Sequence, residues 1–282
     1  MPSGASPGKV QSAPRCRPPL LPSAPGLVYK SPVRCTLVWA HDLGSSRAHE
    51  DELGLFDWTN VADAAEVVRY DARGHGRTEP TQYYDRAYRW SSMVDDMLRA
   101  AGTGPFVAGG AAMGGAVALW TALRAPRRVQ ALVLAVPPRA WEERGADAAR
   151  YEEAARLVEA RGLPAWAETL RLRPQPRILA DELPAAGEVA ARHVLTMEEK
   201  VVPAVLRGAA ASDLPSRDEL RTIVVPTLIL AWADDADHPL TTAESLAEHL
   251  VLSELEVAHD LAAVRGWPRR VRAFLGGLCH WE

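Results

Sequence analysis

The sequence predicts an α/β protein: a mostly parallel central sheet with helices on both faces. Two observations carry this. Short, continuous apolar runs recur along the chain, as expected of strands covered on both sides. Helical patterns separate them, so the chain reads as successive βαβ units. A third observation concerns a stretch near the middle, where the alternation stops and only helical patterns remain.

The strands are expected at Cys35–Ala40, Glu66–Tyr70, Phe106–Ala108, Gln130–Ala135, Thr227–Ala231 and Glu254–Ala258. The last is the most polar, with Leu255 and Val257 facing inward. Between them, Tyr88–Ala101 places Met93, Val94, Met97 and Leu98 on one helical face. Met113–Leu123 is rich in Ala and Gly and suits close packing on a sheet. Thr242–Leu250 opens on a capping-box-like Thr-Thr-Ala-Glu, and Trp267–Leu275 closes the chain.

From Pro137 to Glu219 the helical patterns Asp147–Ala160, Leu163–Leu172, Glu188–Leu195 and Met197–Leu206 follow one another without a strong strand. A single crossover needs only about a dozen residues. Residues 137–219 are therefore expected to form a helical lid on a core made of 26–136 and 220–282. Residues 1–25, crowded with Pro, Ser and Gly, are expected to be a flexible tail.

Composition narrows the function classes. The chain has 282 residues, 48% hydrophobic and 24% charged, with a formal net charge of −4. This balance gives no footprint for nucleic acid or an anionic membrane. No apolar run is long enough to span a bilayer, and the early Pro-Pro-Leu-Leu-Pro segment is too short for a signal peptide. A cytoplasmic protein is expected. Cys16, Cys35 and Cys279 form neither an even framework nor a Cys-x-x-Cys, so neither a disulfide scaffold nor a zinc site is expected. Gly102-Thr103-Gly104 lacks the lysine and spacing of a phosphate loop. No metal and no cofactor are expected, and the partner is expected to be a small-molecule substrate. The oligomeric state is open.

Four local signals occur in a fixed order. His41-Asp42-Leu43-Gly44 follows the first strand. Tyr70-Asp71-Ala72-Arg73-Gly74-His75-Gly76-Arg77 ends the second. Gly110-Ala111-Ala112-Met113-Gly114-Gly115 joins a strand to a helix. Asp234-Asp235-Ala236-Asp237-His238-Pro239 follows the Thr227–Ala231 strand, and His259 follows the last one. Together these resemble the α/β-hydrolase fold family, whose strand–turn–helix bend is usually Gly-x-Ser-x-Gly.

The resemblance implies a triad, and here it meets a departure: the nucleophile position holds Ala112. A methyl group cannot attack a carbonyl. The resemblance makes His259 the general base and Asp235 the carboxylate that orients it, with Asp234 next and Asp237 third. It makes the backbone amides of Leu43 and Met113 the oxyanion hole. Asp42 stands where the family has Gly, placing a carboxylate near the mouth. His41 and His75 are landmark residues with structural roles. Trp141 and Trp166 are expected to line a pocket for an apolar substrate, and the Arg171–Arg177 stretch to be a solvated face.

Because base and orienter are both present, the sequence favours a Ser-to-Ala change engineered at 112 in a serine hydrolase of small esters, thioesters or lactones. The alternatives are a naturally serine-less enzyme, and a binding protein with no chemistry. The serine-less enzyme would be a lyase, cyclase or cofactor-free catalyst in secondary metabolism, using His259 and Asp235 as a general base.

Overall fold

The computed structural model describes residues 35–80 and 82–278. The expected N-terminal tail, the first residues of the expected core, Cys16 and Cys279 lie outside the described residues.

Six strands form one parallel sheet: β1 (Cys35–Ala40), β2 (Ala65–Tyr70), β3 (Phe106–Ala111), β4 (Val129–Ala135), β5 (Thr227–Trp232) and β6 (Ser253–Ala258). Their order is β2-β1-β3-β4-β5-β6, and every neighbouring pair is parallel. The helices are α1 (Arg47–Leu53), α2 (Trp90–Ala100), α3 (Met113–Arg124), α4 (Arg144–Arg161), α5 (Leu163–Leu172), α6 (Arg177–Ala180), α7 (Ala186–Val194), α8 (Val202–Ala210), α9 (Arg217–Leu220), α10 (Leu240–His249) and α11 (Leu261–Leu278).

Each strand buries alternate residues on opposite faces, which explains the unbroken apolar runs. Val38, Ala108, Leu132 and Ile229 pack with Met93 and Met97 of α2, with α3 and with α10. Leu37, Val107, Val133 and Leu228 pack on the other face with Val264, Trp267, Val271 and Leu275 of α11. Residues 137–226 contain α4 to α9 and no strand. These helices share a cluster with Ala87 and Tyr88, in which Ala155, Val158, Trp166, Val194, Val202 and Leu206 are buried together.

The sheet order reverses at β1. The chain leaves β1 for β2 on one side and returns to β3 on the other. In open parallel sheets the C-terminal ends of the strands at such a reversal frame a crevice. That crevice receives the loop after β1, which carries Asp42, and the bend after β3, which carries Ala112.

Candidate active site

The bend after β3 is built by close backbone approach. Ala112 takes φ 44° and ψ −107°, a left-handed conformation that is strained for a residue with a side chain. Its amide donates to Ala135 O at 2.9 Å, and its carbonyl accepts the Ala116 amide as α3 begins. Gly110 and Gly114 make the bend fit: a Cβ on Gly114 would fall on the carbonyl of Ala40, and one on Gly110 would meet Ala40 O at 2.6 Å. Ala112 is buried on the wall of a cavity of about 860 Å³.

The loop after β1 is pinned by His41. Its Nε2 accepts the Ala72 amide at 3.0 Å, and its Nδ1 donates to Asp42 O at 2.7 Å. Burial, and then His75, lower its pKa to about 3, so it stays neutral and keeps this tautomer. The loop-shaping role read from the sequence agrees with these bonds.

The amides of Leu43 and Met113 do converge, and on a protein atom. Asp42 Oδ1 accepts Leu43 N–H at 2.6 Å and Met113 N–H at 3.2 Å. Burial raises the Asp42 pKa, against the lowering effects of His238 and the two amides.

Asp235 also lies on the cavity wall, but its imidazole partner is not the expected one. His238 Nδ1 donates to Asp235 Oδ2 at 2.7 Å. The Trp232 indole donates to the same oxygen at 2.8 Å, and the Asp237 amide to Oδ1 at 2.9 Å. Burial works against the Asp235 charge. The His238 hydrogen bond and charge, with the Asp237 amide and Trp232, outweigh it and hold the carboxyl at about 2. Burial likewise opposes a charge on His238. The Asp235 bond and charge, then Asp42 and Asp237, outweigh it and raise the His238 pKa.

The expected base, His259, requires correction. It is exposed and does not line the cavity. The short turn between β6 and α11 is committed to starting the helix. Asp260 Oδ1 accepts the Ala263 amide at 2.7 Å, and Leu261, Val264 and Trp267 bury their side chains inward. This leaves the His259 side chain on the solvent side. His238 was present in the sequence signal as the fourth residue of Asp-Ala-Asp-His, but spacing alone did not separate it from a polar turn.

Trp166, from α5, is buried on the cavity wall. Trp141 is not there. Its indole donates to Pro215 O at 2.9 Å and its ring lies 4.4 Å from the Arg217 guanidinium, so it fastens the start of the helical insertion instead. The Arg171–Arg177 stretch is also not uniformly a solvated face. Arg173 lines the cavity and pairs with Asp237, as does Arg150 of α4 at 2.6 Å. Asp234 sits outside the cavity wall, 3.8 Å from Arg177. Among the wall residues without a sequence signal are Ser45 and His49, bonded at 2.9 Å, and Tyr151 of α4.

Among the described residues no group of three His, Cys, Asp or Glu could hold a metal ion. No described helix is long and apolar enough to cross a membrane.

Comparison with known proteins agrees with this architecture. Residues 57–250 match the family model for the alpha/beta hydrolase fold. A putative carbamate hydrolase RutD of Variovorax paradoxus is 32% identical over 190 residues, covering 65% of this chain and 69% of that protein. The 3-oxoadipate enol-lactonase 2 of Acinetobacter baylyi is 25% identical over 225 residues, covering 79% of this chain and 80% of that protein. Among solved structures, a hydrolase from Pseudomonas aeruginosa PA01 superposes with a TM-score of 0.71 at 23% identity, over 86% of this chain and 90% of that one. The enol-lactonase of Burkholderia xenovorans LB400 superposes with a TM-score of 0.70 at 17% identity, over 86% of this chain and 91% of that one. With its parallel sheet, its strained bend after β3 and a family match over most of its length, the chain belongs to the α/β-hydrolase fold family.

Proposed function

We propose that the chain is a serine-less hydrolase of small carbonyl substrates, esters or lactones foremost, that works by acid–base catalysis without an acyl-enzyme. The carrying observation is Asp42 Oδ1 accepting both the Leu43 and Met113 amides. An oxyanion cannot occupy the same place as this oxygen. A simple Ser-to-Ala knockout would leave those amides facing the cavity and a histidine facing residue 112. Here the amides are taken by a carboxyl group, and the cavity histidine bonded to Asp235 is His238. The names of the relatives, carbamate hydrolase and enol-lactonase, support cleavage of an acyl–heteroatom bond.

In this reading His238, held through Nδ1 by Asp235, uses Nε2 to take a proton from water as the water oxygen attacks the carbonyl carbon. Asp42, in the protonated form that burial favours, gives a hydrogen bond to the carbonyl oxygen and keeps its proton throughout, a duty the two amides perform in an open hole. Collapse of the tetrahedral intermediate breaks the bond to the leaving group, which receives the proton from His238. The product acid and alcohol depart, and His238 is again neutral. Ala112 leaves space for the water beside the bend.

The test is hydrolysis of phenyl acetate and small lactones by the native chain and by His238→Ala, His259→Ala and Ala112→Ser. Turnover that depends on His238 and not on His259, with no covalent adduct after fluorophosphonate treatment, supports the proposal. Turnover that appears only with Ala112→Ser overturns it. That outcome favours the second reading, a disabled serine hydrolase, which the retained left-handed bend at Ala112 keeps in play.

A further inference from the structure

Positive charge is in excess on one side of the cavity. Four guanidiniums, those of Arg139, Arg144, Arg150 and Arg173, gather around two carboxylates, Asp147 and Asp237. Among the described residues no other carboxylate pairs with these arginines, so two positive charges are left over. Asp147 is buried and Asp237 largely so, and water screens an unbalanced charge poorly at such a place.

The four arginines are not alike. Arg144 turns its donors on carbonyls, Ser212 O at 2.8 Å and Ala209 O at 2.7 Å, and lies 4.4 Å from the Trp90 ring. Arg139 donates to Ala236 O. Arg150 spends Nη1 on Asp237 at 2.6 Å and Nη2 on Asp147 at 2.8 Å. Arg173 donates to Asp237 through Nη2 alone. Among the described residues its Nε and Nη1 meet no acceptor. Its side chain lines the cavity and keeps 36% of its surface open, so these donors are within a ligand's reach.

Arg173 is also held in place. Its amide donates to Leu170 O at 3.3 Å as α5 ends, and the Gln175 side chain donates to its carbonyl at 3.2 Å. Pro174 and Pro176 stiffen the segment that follows. The partner Asp237 precedes His238, and its amide donates to Asp235 at 2.9 Å. Arg173 therefore stands one ion pair away from the reacting groups.

We propose that the substrate is an ester or lactone that carries a carboxylate, held by the free Nε and Nη1 of Arg173, with its apolar body against the half-buried Leu157 and Leu170 of the cavity wall. An anion there offsets part of the excess charge and accepts charge-assisted hydrogen bonds, and a neutral ligand does neither. This deepens the preceding reading and rests on it for the reacting end, at Asp42 and His238.

The test is calorimetric titration of the full chain with 3-benzoylpropionate, an acid whose ketone cannot be hydrolysed. The control is butyrophenone, which has a methyl group in place of the carboxylate. The acid is expected to bind one to one and at least about tenfold more tightly. That preference is expected to shrink as salt is raised. Arg173→Gln is expected to remove most of it. Arg177→Gln, which alters an exposed arginine outside the cavity wall, is expected to leave it intact. The fold of each variant is checked by circular dichroism. If Arg173→Gln does not fold, Arg173→Lys carries the decision. It keeps a charge for Asp237, loses the planar donors, and is expected to lower the preference about threefold. Equal binding of acid and ketone, or a preference that the deciding Arg173 variant leaves unchanged, overturns the inference. Phenyl acetate turnover, measured in parallel, separates the two ideas. Turnover that needs His238 without a preference for the acid defeats only this inference. A preference that depends on Arg173 without such turnover defeats only the preceding one.

Discussion

Asp42 and Met113 are 71 positions apart, yet the Asp42 carboxyl oxygen accepts the Met113 amide at 3.2 Å, at the very start of α3. The contact joins the loop after β1 to the bend after β3 across the point where the sheet order reverses. A carboxyl group at this place fills the positive end of a helix and two free N–H groups at once.

Replacing Asp42 with Asn retains an oxygen for both amides and removes the acidic proton. The fold is expected to stay intact, with little change in melting temperature. Turnover of an activated ester is expected to fall about a hundredfold or more. Unchanged turnover in Asp42→Asn would remove the acid from the mechanism.

The pH dependence follows from the Asp235–His238 pair. His238 must be neutral to take a proton, and its partners raise its pKa above 6.5. Where Asp42 keeps its proton, activity is therefore expected to climb with pH through a midpoint above the usual histidine value, and it is expected to fall where Asp42 ionises. Asp235→Asn removes the strongest of these partners, so the rising limb is expected to move to lower pH while its plateau drops. A pH–rate profile of both proteins measures the displacement.

The same pair predicts an acid limit on stability. Asp235 has a folded pKa of about 2 against an ordinary value of 3.8. A depressed carboxyl contributes stability that is present above the unfolded pKa and is lost as pH falls through the folded one. This contribution is of order 2 kcal/mol. Urea melts between pH 5 and pH 2 are expected to show a loss of that size in the native chain and a smaller one in Asp235→Asn. His238 runs the other way: its raised pKa contributes stability fully present below the unfolded pKa of about 6.5, lost as pH rises through the folded value.

Asp237 ties the helical insertion to the core by pairing with Arg150 of α4 and Arg173 beyond α5. Asp237→Asn is expected to loosen that attachment. Faster proteolytic cleavage within residues 144–180 would register it. KM for a bulky ester is expected to change more than kcat, since the two arginines border the cavity and not the reacting groups.

The bend after β3 tolerates almost nothing. Gly114→Ala forces a methyl group onto the Ala40 carbonyl, so the backbone must move. A loss of several kcal/mol is expected, seen as a large fall in melting temperature and in soluble yield.

Much of this was legible in the chain. All six strands fall within one to three residues of their apolar runs, because buried parallel strands write their burial directly into the sequence. Helices were less exact at their ends. The closing helix expected at Trp267–Leu275 begins at Leu261 and carries Pro268 inside, since Leu261 and Val264 gain by burying against the sheet. Pro203 instead marks the first turn of α8, later than the periodicity suggested. At the site, Ala112, Asp235 and the Leu43 and Met113 amides could be located from motif order. Which histidine meets Asp235 could not, because motif order fixes where a residue lies along the chain and not the direction of its side chain: His238, three residues on, bonds Asp235, and His259 after β6 is exposed.

Ala112 holds a positive φ with only a methyl group as its side chain. A left-handed backbone is ordinarily tolerated at this point because an attacking atom must be held out from it. With a methyl group there, the proposed chemistry gains nothing from the distortion. Ala112→Gly should then melt at a higher temperature and turn over as before, since glycine takes a positive φ without strain and the proposed chemistry asks nothing of the methyl group.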